Sequence, residues 1–555
     1  MYRYMMKKKL LCLTGVGMLV VSCTTGSLFA LVMSALIDCV EKGKEELTAT
    51  LCRSVLYVVI NIMLQIIYRY MKAAVLAESR FTLKRDLFTC IMNQEITEFD
   101  TRNSAEYINE LSNNMNLFES VYFNNITGML ECLVSFVSAA AICIIVEPVM
   151  LALMIFLAFL TMIVTRLTTE PLKRSTDRFA DSAGEYMAEI QDDFGGFRLI
   201  HSAGILNGIL KKHERINKGM EAAKRQNADC QILCACTGQF VGLLSTILVM
   251  AAAAWFALEG MFSAGMVIAF GHLIGNIVSP ITRIPSIIAN FSASRPLQER
   301  FKMLLAIKAE DGTEELTDLE EGIELDSLSF HYPDGKEVFR QLSFHFRAGG
   351  HYAVTGDSGS GKSTLLSLLE GDYSDYIGSI RLDGRELRNL KKDCLRELTG
   401  MVSQDTFLFN DTIQNNITLY QEGYTAAEIE KALEQAGLKA LIDSLPEGTG
   451  TRISENGKNF SGGEKQRISL ARVLLQKKKI LLLDEFTAHL DEQTAGEIEG
   501  RLLAEKDCMV LTVTHHLQPK ILGQYDQVLV LSQDGLYPRE MRQAAASVRT
   551  DDSFL

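Results

Sequence analysis

The sequence predicts a multidomain membrane protein, in which an all-α region of six membrane-spanning helices is followed by an α/β domain. Long apolar segments crowd residues 10–290, although the chain as a whole is only 48% hydrophobic. From about Gly322 the pattern changes to short β-like runs, glycine-containing turns and amphipathic helices, which is typical of an α/β domain. At 555 residues the chain is also too long for a single compact core.

Six segments are long and apolar enough to cross a bilayer. They lie near residues 11–36, 54–77, 122–146, 149–168, 232–258 and 262–291. The first segment contains no charged residue, and a charge at mid-bilayer costs about 2.5–3.5 kcal/mol on insertion scales. Buried helices of a soluble protein rarely need several uncharged runs of about twenty residues. The first apolar run continues to Leu36, so we interpret it as an uncleaved membrane helix rather than a signal peptide.

The distribution of lysine and arginine predicts the orientation of these helices. Arg3 and the lysines at 7–9 place the N-terminus in the cytoplasm, because loops rich in basic residues stay on that side. The acidic loop 38–50 is then external, and the long segments 78–121 and 169–231 lie inside. We therefore expect both termini and the α/β domain in the cytoplasm. The short external loops favour the inner membrane of a bacterium.

Glu131 is the clear acidic residue within a predicted span. An ionisable residue at that depth is a candidate for binding a cationic group or a proton. The alternative is a position near the membrane interface or a hydrogen bond to a neighbouring helix, and the sequence leaves both open. With few charges in the spans, we expect an apolar cavity that suits drugs, lipids or hydrophobic peptides.

Charge and cysteine content exclude two classes of function. A net charge of −13 argues against a nucleic-acid partner, which requires a basic face. The twelve cysteines show no paired CxxC spacing, so a zinc site is not expected. Cys39 and Cys52 flank the external loop, where a disulfide stays open, although two ordinary cysteines at the membrane edge are the preferred interpretation.

Residues 356–364 read GDSGSGKST and fit the phosphate-binding pattern G-x4-G-K-S. A strand-like HYAVT precedes the pattern and a helix-like LLSLLE follows it, so we predict an α/β P-loop NTPase domain. Lys362 is expected to reach the β- and γ-phosphates of a nucleotide, and the Ser363 hydroxyl to bind Mg²⁺. The expected nucleotide-binding residues of this loop are Gly356, Asp357, Ser358, Gly359, Ser360, Gly361, Lys362, Ser363 and Thr364.

Two further stretches contain candidate functional residues. ILLLDE at 480–485 reads as a strand buried on both faces of a parallel sheet. At its end, Asp484 is expected to hold the Mg²⁺ shell and Glu485 to orient and deprotonate an attacking water. FSGGEKQR at 460–467 is a second turn of small residues that leads into a helix, and a helix N-terminus favours anions.

The order of these motifs resembles that of the ATP-binding domain of ABC transporters. The matching positions are Tyr332, GDSGSGKST, Gln404, FSGGEKQR, ILLLDE, the Leu490–Asp491 pair and THH at 514–516. With six spans before it, nearly the whole chain resembles an ABC half-transporter of the exporter type. The resemblance divides the chain into a transmembrane domain at 1–305, an ATP-binding domain at 322–537 and a C-terminal tail at 538–555.

The resemblance implies roles for single positions. Tyr332 matches the aromatic residue that stacks on adenine, and Gln404 matches the residue that touches Mg²⁺ and water. His515 matches the histidine that contacts the γ-phosphate, and Asp491 the aspartate that communicates across a dimer. The expected catalytic residues are therefore Glu485, His515 and Lys362. The expected Mg²⁺ ligands, partly through water, are Ser363, Gln404 and Asp484.

The turn at the start of FSGGEKQR is a second phosphate-binding cradle, after that of the P-loop. This second cradle is expected to bind the ATP of a partner chain. Its residues are Ser461, Gly462, Gly463 and Glu464. The family most often has LSGGQ here, so Glu464 is a departure that suits a helix start but would weaken phosphate binding if it turned toward the nucleotide. His489, in FTAHLD, is a second departure, for which the sequence offers no physical reason.

The resemblance also implies how the two domains communicate. Two short cytoplasmic coupling helices are placed near 98–112 and 194–208, the second against the ATP-binding domain of the partner. Residues 453–459 resemble the segment that lies against these helices.

The function expected from these features is ATP-driven export of a hydrophobic substrate by a dimer, with ATP and Mg²⁺ as cofactors. The dimer consists of two copies of this chain or of this chain and a relative. Three alternatives remain: an importer of metal–chelator complexes with the same fold, a soluble ABC ATPase, and an ATP-gated channel or sensor. The soluble alternative conflicts with the six predicted spans.

Overall fold

The computed structural model describes residues 2–42, 44–307, 312–332, 335–454, 457–515, 517–533 and 535–539. These residues form two compact units. Residues up to Met92 and from Asn103 to Ile307 form the first. The second contains Asn93–Arg102 together with the described residues after Ile307. The predicted tail lies outside the described residues from position 540 onwards.

The first unit consists of helices. The helices up to Ala306, all in the first unit except α4, are α1 (Tyr2–Met5), α2 (Lys9–Asp38), α3 (Lys44–Met92), α4 (Ile96–Asp100), α5 (Ser104–Asn109), α6 (Met115–Phe118), α7 (Asn124–Val146), α8 (Pro148–Gly195), α9 (Phe197–Ala203), α10 (Leu206–Leu258) and α11 (Gly265–Ala306). Two π-helical turns, Glu110–Asn114 and Glu119–Phe123, join α5, α6 and α7 into one long helix.

Among the described residues, five helices are long and apolar enough to cross a membrane, and a sixth is bent. Each of the six overlaps one of the predicted spans, which agrees with the expectation of roughly six spans. The bent helix is α8, whose parts Pro148–Val164 and Thr169–Gly195 meet at 42°. Pro171 follows this break, and proline removes the hydrogen bond to the carbonyl four residues earlier. The bend therefore marks the end of the fourth predicted span.

Helix α11 approaches α2 closely at the expected outer end of the bundle. A Cβ on Gly265 would lie 2.3 Å from the carbonyl oxygen of Ser34. The carboxylate of Asp38 accepts hydrogen bonds from the Gly265 N–H at 2.8 Å and from the Ser263 hydroxyl at 2.7 Å. This contact explains a glycine at the start of α11.

Cys39 is a free thiol 3.1 Å from the Thr50 hydroxyl, and Cys52 is also free.

The second unit is an α/β domain with two sheets. Its strands are β1 (Gly322–His331), β2 (Glu337–Arg347), β3 (His351–Thr355), β4 (Ile377–Leu382), β5 (Arg385–Glu386), β6 (Thr399–Val402), β7 (Ile480–Asp484), β8 (Met509–Val513), β9 (Gln527–Ser532) and β10 (Gly535–Pro538). Its helices are α12 (Lys362–Glu370), α13 (Lys392–Leu398), α14 (Ile413–Thr418), α15 (Ala426–Gln435), α16 (Lys439–Ser444), α17 (Gly462–Leu475) and α18 (Glu492–Leu502).

The larger sheet has the order β10-β9-β3-β8-β7-β6, in which β6, β7, β8, β3 and β9 are parallel and β10 is antiparallel. All five residues of β7 are buried, which confirms the prediction of a strand covered on both faces. The smaller sheet, β2-β1-β4-β5, is antiparallel. Because the P-loop follows β3 and the acidic pair follows β7, both lie at the carboxyl edge of the parallel sheet.

The first predicted coupling segment differs from its expected extent. The short helix α4 ends at Asp100, a break follows, and residues from Ser104 onwards already belong to the long helix of the first unit. Within the second unit, the Glu95 carboxylate pairs with Lys392 Nζ at 2.8 Å. The segment that packs on the α/β domain is therefore Asn93–Arg102 rather than 98–112. The second predicted segment, 194–208, contains α9, which ends at Gly204 in a left-handed conformation.

Candidate nucleotide site and membrane cavity

The P-loop connects β3 to α12, as its sequence predicts. Gly361 ends the loop with a φ of 92°, which favours glycine. A Cβ there would also lie 2.3 Å from Cγ1 of Val338, so no other residue fits. Lys362 is buried in the first turn of α12, and its Nζ donates to the carbonyl oxygens of Gly356 and Asp357, each at 2.9 Å. The ammonium group is therefore held over the loop.

The loop contains a buried cation and an unsatisfied hydroxyl that fit a phosphate. Burial lowers the pKa of Lys362, while the carboxylates of Glu485 and Asp484 act in the opposite direction. The hydroxyl oxygen of Ser360 is buried and has no hydrogen-bond partner among the described residues. A buried polar atom without a partner costs free energy. A phosphate oxygen bound to this loop would satisfy it.

Asp484 and Ser363 form the candidate Mg²⁺ site. Asp484 is the last residue of β7 and is 4% exposed. Burial raises the pKa of Asp484, and a hydrogen bond from the Ser363 hydroxyl lowers it. A hydroxyl and a carboxylate are hard oxygen ligands of the kind that Mg²⁺ prefers. Two of the three side chains that the sequence placed on Mg²⁺ are thus in contact.

Glu485 is held in position by two of the other predicted residues. Gln404 Nε2 donates to one carboxylate oxygen at 3.1 Å, and His515 Nε2 lies 3.0 Å from the other. The backbone N–H of Glu485 donates to the carbonyl of Val513 at 3.0 Å. Its φ of 47° is unusual for a residue with a side chain and costs about 1–2 kcal/mol. Such strain is concentrated at functional sites.

Tyr332 lies beside the P-loop helix. Its hydroxyl is 2.7 Å from that of Thr364. Its ring contacts those of Phe330 and Tyr373 edge-on, with centroids 5.3 and 5.9 Å away. Burial raises the pKa of Tyr373 to about 12, and Tyr332 adds to the effect. Tyr373 was missed in the sequence because it lies in a loop that matches no motif.

The second cradle begins helix α17 with a capping box. Ser461 Oγ accepts from the Glu464 N–H at 3.3 Å, and the Glu464 carboxylate accepts from the Ser461 N–H at 2.7 Å and the Ser461 hydroxyl at 2.8 Å. This arrangement satisfies two N–H groups at the helix start. Glu464 therefore acts on the helix itself, as one of its two interpretations expects.

His489 has a physical explanation in the structure. A Cβ on Gly462 would lie 3.2 Å from the His489 ring, and one on Gly463 would lie 2.6 Å from the His489 carbonyl oxygen. The histidine thus packs against the two glycines of the second cradle. Larger residues at either glycine would displace it.

Gln466 links the second cradle to the acidic strand end and was not singled out from the sequence. Its Nε2 donates to the Glu485 carbonyl at 3.4 Å, and its Oε1 accepts from the His489 N–H at 3.4 Å. The residue is 3% exposed. A glutamine two positions after Glu464 has no motif of its own, so only the fold reveals this contact.

Asp491 caps helix α18. Its carboxylate accepts from the Thr494 N–H at 2.9 Å, and the hydrogen bonds from Thr494 lower the pKa of Asp491. The structure therefore gives Asp491 a local role, and the predicted role across a dimer stays a prediction. In the segment 453–459, residues 455 and 456 lie outside the described residues, as does position 516 of THH.

The two cradles begin helices that pack into different cores. Leu365 and Leu366 of α12 belong to the core that includes β1, β2 and β4. Ile468 and Leu470 of α17 belong to the core on the other face of the large sheet. The P-loop and the second cradle are therefore separate features of one chain.

The membrane unit contains a cavity of about 620 Å³ between α2, α3, α7 and α11. Its wall includes three cationic side chains and one carboxylate, so the expectation of an apolar cavity is wrong. The cations lie near one end of their predicted spans, where charges are tolerated. The Glu131 carboxylate accepts from the Tyr68 hydroxyl at 2.6 Å and from Lys72 Nζ at 2.8 Å. This matches the alternative in which Glu131 hydrogen-bonds to a neighbouring helix.

Comparison with known families is consistent with both units. A sequence model described as "ABC transporter transmembrane region" matches residues 12–281, and one described as "ABC transporter" matches residues 339–488. The chain belongs to the ABC transporter family. Because both regions lie in one chain, it is an exporter-type half-transporter.

Relatives and solved structures agree with this assignment. This ABC transporter is 27% identical over 464 residues to an ATP-dependent lipid A-core flippase from Photobacterium profundum, covering 82% of this chain and 79% of the relative. It is 36% identical over 293 residues to ATP-binding cassette sub-family B member 6 from Xenopus tropicalis, covering 52% and 34%. The structure of a bacterial Atm1-family ABC exporter with ATP bound superimposes with a TM-score of 0.81 at 20% identity, covering 99% of both chains. The last comparison shows the fold.

Proposed function

We propose that this ABC transporter hydrolyses ATP to export a substrate with a hydrophobic part, such as a drug, lipid or peptide, across the bacterial inner membrane. The N-terminus and the ATP-binding domain lie in the cytoplasm. The observation that carries the proposal is the set of contacts around Glu485. Gln404 and His515 hold this carboxylate in a chain that also has six spans.

The chain's own residues divide the work of hydrolysis. Lys362 binds phosphate oxygens and neutralises their charge, while Tyr332 stacks on the adenine. Glu485 orients a water and takes its proton, and His515 keeps the carboxylate in place. Mg²⁺ bound by Ser363 and Asp484, with Gln404 nearby, would neutralise the charge of the β- and γ-phosphates.

The second cradle makes the site dependent on a partner chain. Ser461, Gly462 and Gly463 bind the γ-phosphate of the ATP held by the P-loop of the partner. Since each chain has one P-loop and one second cradle, a head-to-tail dimer forms two complete sites. ATP drives closure because it binds the closed dimer more tightly than the open one.

Closure of the ATP-binding domains is transmitted to the membrane helices by the segment 93–102. Helix α9 is expected to lie against the ATP-binding domain of the partner. The ion pair between Glu95 and Lys392 supports this connection. Gln404 connects the nucleotide site to the loop before α14. Movement of these segments turns the membrane cavity outward.

Transport in inside-out vesicles tests the direction. With purified protein in vesicles, uptake of a substrate that stimulates ATP hydrolysis should require added ATP and should be absent in Glu485→Gln. ATP-driven uptake by whole cells, with none in inside-out vesicles, would instead show an importer. Flux that never runs against a gradient would show a channel.

A further inference from the structure

The membrane cavity is lined by two polar stripes with the same spacing. On α3 the stripe contains Asn61, Gln65, Tyr68, Arg69 and Lys72, and on α11 it contains His272, Asn276, Ser279 and Arg283. Most steps along each stripe are three or four residues, which keeps the stripe on one helix face. Both stripes end in basic residues. Polar residues on membrane helices mark a bundle interior or a substrate pathway.

The charges in the cavity do not balance. Lys72 is paired with Glu131 at 2.8 Å. Arg69 and Arg283 also line the cavity, and neither forms an ion pair with another side chain in the described part of the membrane unit. The cavity therefore carries two uncompensated guanidinium groups. Their field attracts anions, and a guanidinium binds carboxylates, sulfonates and phosphates through two parallel hydrogen bonds.

Neutral donors lie on the same walls. Asn61 is 8% exposed, its Oδ1 accepts from Gln65 Nε2 at 2.7 Å, and its side chain also hydrogen-bonds to Tyr57. Asn276 Nδ2 donates to Ser27 Oγ at 3.3 Å, which fixes α11 against α2. The cavity wall thus has neutral amide groups beside the two guanidinium groups.

An apolar surface completes the cavity. Phe29 lies in its wall, with its ring edge-on to His272 and the centroids 5.5 Å apart. Pro280 and Cys132 are buried beside it. A substrate that fills the cavity thus meets cationic groups on two helices and an apolar wall on another.

We propose that the transported substrate is an amphipathic anion, whose carboxylate, sulfonate or phosphate group is bound by Arg69 and Arg283 and whose apolar part lies against Phe29. This inference rests on the proposed function and names its substrate class. Glu131 is not a site for a cationic substrate, because Lys72 already neutralises it. The same anionic chemistry occurs in anionic lipids and in soluble organic anions.

The test measures binding of a matched pair of ions without ATP. The full chain is placed in nanodiscs of zwitterionic phosphatidylcholine and titrated by calorimetry with 2-naphthalenesulfonate and with 2-naphthyltrimethylammonium. The sulfonate should bind about tenfold more tightly or better, because two charge-assisted hydrogen bonds are available to it alone. Equal affinities, or tighter binding of the ammonium ion, would overturn the proposal.

Variants locate the binding groups. Arg69→Gln and Arg283→Gln should each weaken sulfonate binding about tenfold. Arg225→Gln, which removes an exposed arginine of α10 outside the cavity, should leave it unchanged. Neutral 2-naphthalenesulfonamide serves as the control for folding, because its binding should not depend on either arginine. Sulfonate binding that survives both cavity substitutions would contradict the assignment.

A second lipid composition of the nanodisc distinguishes anionic lipids from soluble organic anions as the source of the bound anion. Replacing part of the phosphatidylcholine by phosphatidylglycerol should displace the sulfonate if the site accepts lipid phosphates. If affinity is unchanged, the site serves soluble organic anions, and either result supports the shared chemistry. Because no step requires ATP, a failure of this proposal leaves the hydrolysis experiments intact. A failure of ATP hydrolysis likewise leaves the binding result intact.

Discussion

At the scale of single residues, the geometry around Glu485 is the basis of the proposed hydrolysis. Its two carboxylate oxygens have different neighbours, the amide of Gln404 and the ring of His515. Both contacts fix the direction of the carboxylate. The group therefore stays ready to take a proton from water.

Glu485→Gln should abolish ATP hydrolysis while ATP binding is retained. The amide keeps the size and the contacts of the side chain but cannot accept the proton, so turnover should fall by at least about 100-fold. Phosphate release and equilibrium binding of ATP check the two halves of this prediction. Glu422→Gln, an exposed acid in a loop, is the matched control. Turnover at the wild-type rate in Glu485→Gln would rule out the assigned base.

Glu464→Gln should change ATP hydrolysis only modestly, within about twofold, because glutamine also completes a capping box. Glu464→Ala removes the box and should destabilise the ATP-binding domain by about 1 kcal/mol. Thermal unfolding and phosphate release measure the two effects. The Thr425–Glu428 box of α15 offers a comparison, since Glu428→Ala should lower stability without affecting hydrolysis. Loss of hydrolysis in a stable Glu464→Gln variant would mean that the carboxylate acts on the nucleotide.

At the scale of elements, the sequence predicts the features that depend on consecutive residues. The apolar runs predict all six spans, and the P-loop is predicted with its strand and helix, because period and motif lie in consecutive residues. The polarity of the cavity could not be predicted, since Arg69, Glu131 and Arg283 are far apart in the chain and meet only through helix packing. The same reason hid Gln466 and the extent of the segment 93–102.

Helix α12 ends in a carboxyl group that should make stability depend on pH. Burial raises the pKa of Glu370 from 4.5 to about 7, and Asp372 adds to the shift. A raised carboxyl pKa favours the folded state at low pH, and this contribution is lost as the pH rises from 4.5 through 7. Glu370→Gln should therefore stabilise the ATP-binding domain at pH 8 by about 3 kcal/mol and have little effect at pH 4.5.

Calorimetric unfolding at pH 5 and pH 8 measures this difference. Glu422→Gln, whose side chain is exposed, should show the same pH dependence as the wild type. A Glu370→Gln variant with an unaltered pH dependence would show that the carboxyl group is solvated.

Arg472 of α17 ties the loop after Gln404 to the helix of the second cradle. Its guanidinium donates to the carbonyls of Asn416 and Phe407 and to the Asn416 side chain, all at 2.7 Å. Burial lowers the pKa of Arg472 to about 10. Arg472→Met should destabilise the domain by about 2–4 kcal/mol, because the carbonyls lose their donors. Denaturant unfolding measures this loss of stability. The stability of Arg472→Lys should lie between that of the wild type and that of Arg472→Met. An unchanged midpoint for Arg472→Met would contradict this role.

At the scale of the whole molecule, the chain combines a polar membrane cavity with an ATP-binding domain that contains two phosphate cradles. The helices behind the cradles pack into different cores. Two cradles in one chain are useful if each completes the site of a second chain. The account therefore depends on ATP sites that two chains share.

Mixing two disabled chains tests this central claim most directly. Lys362→Met removes the P-loop lysine, and Ser461→Arg blocks the second cradle, so each homodimer lacks a working site. A dimer that contains one chain of each kind, isolated through two different tags, has one doubly disabled site and one intact site. The account predicts that this mixed dimer hydrolyses ATP when neither homodimer does. A mixed dimer as inactive as its parents, with both chains folded and associated, would contradict it.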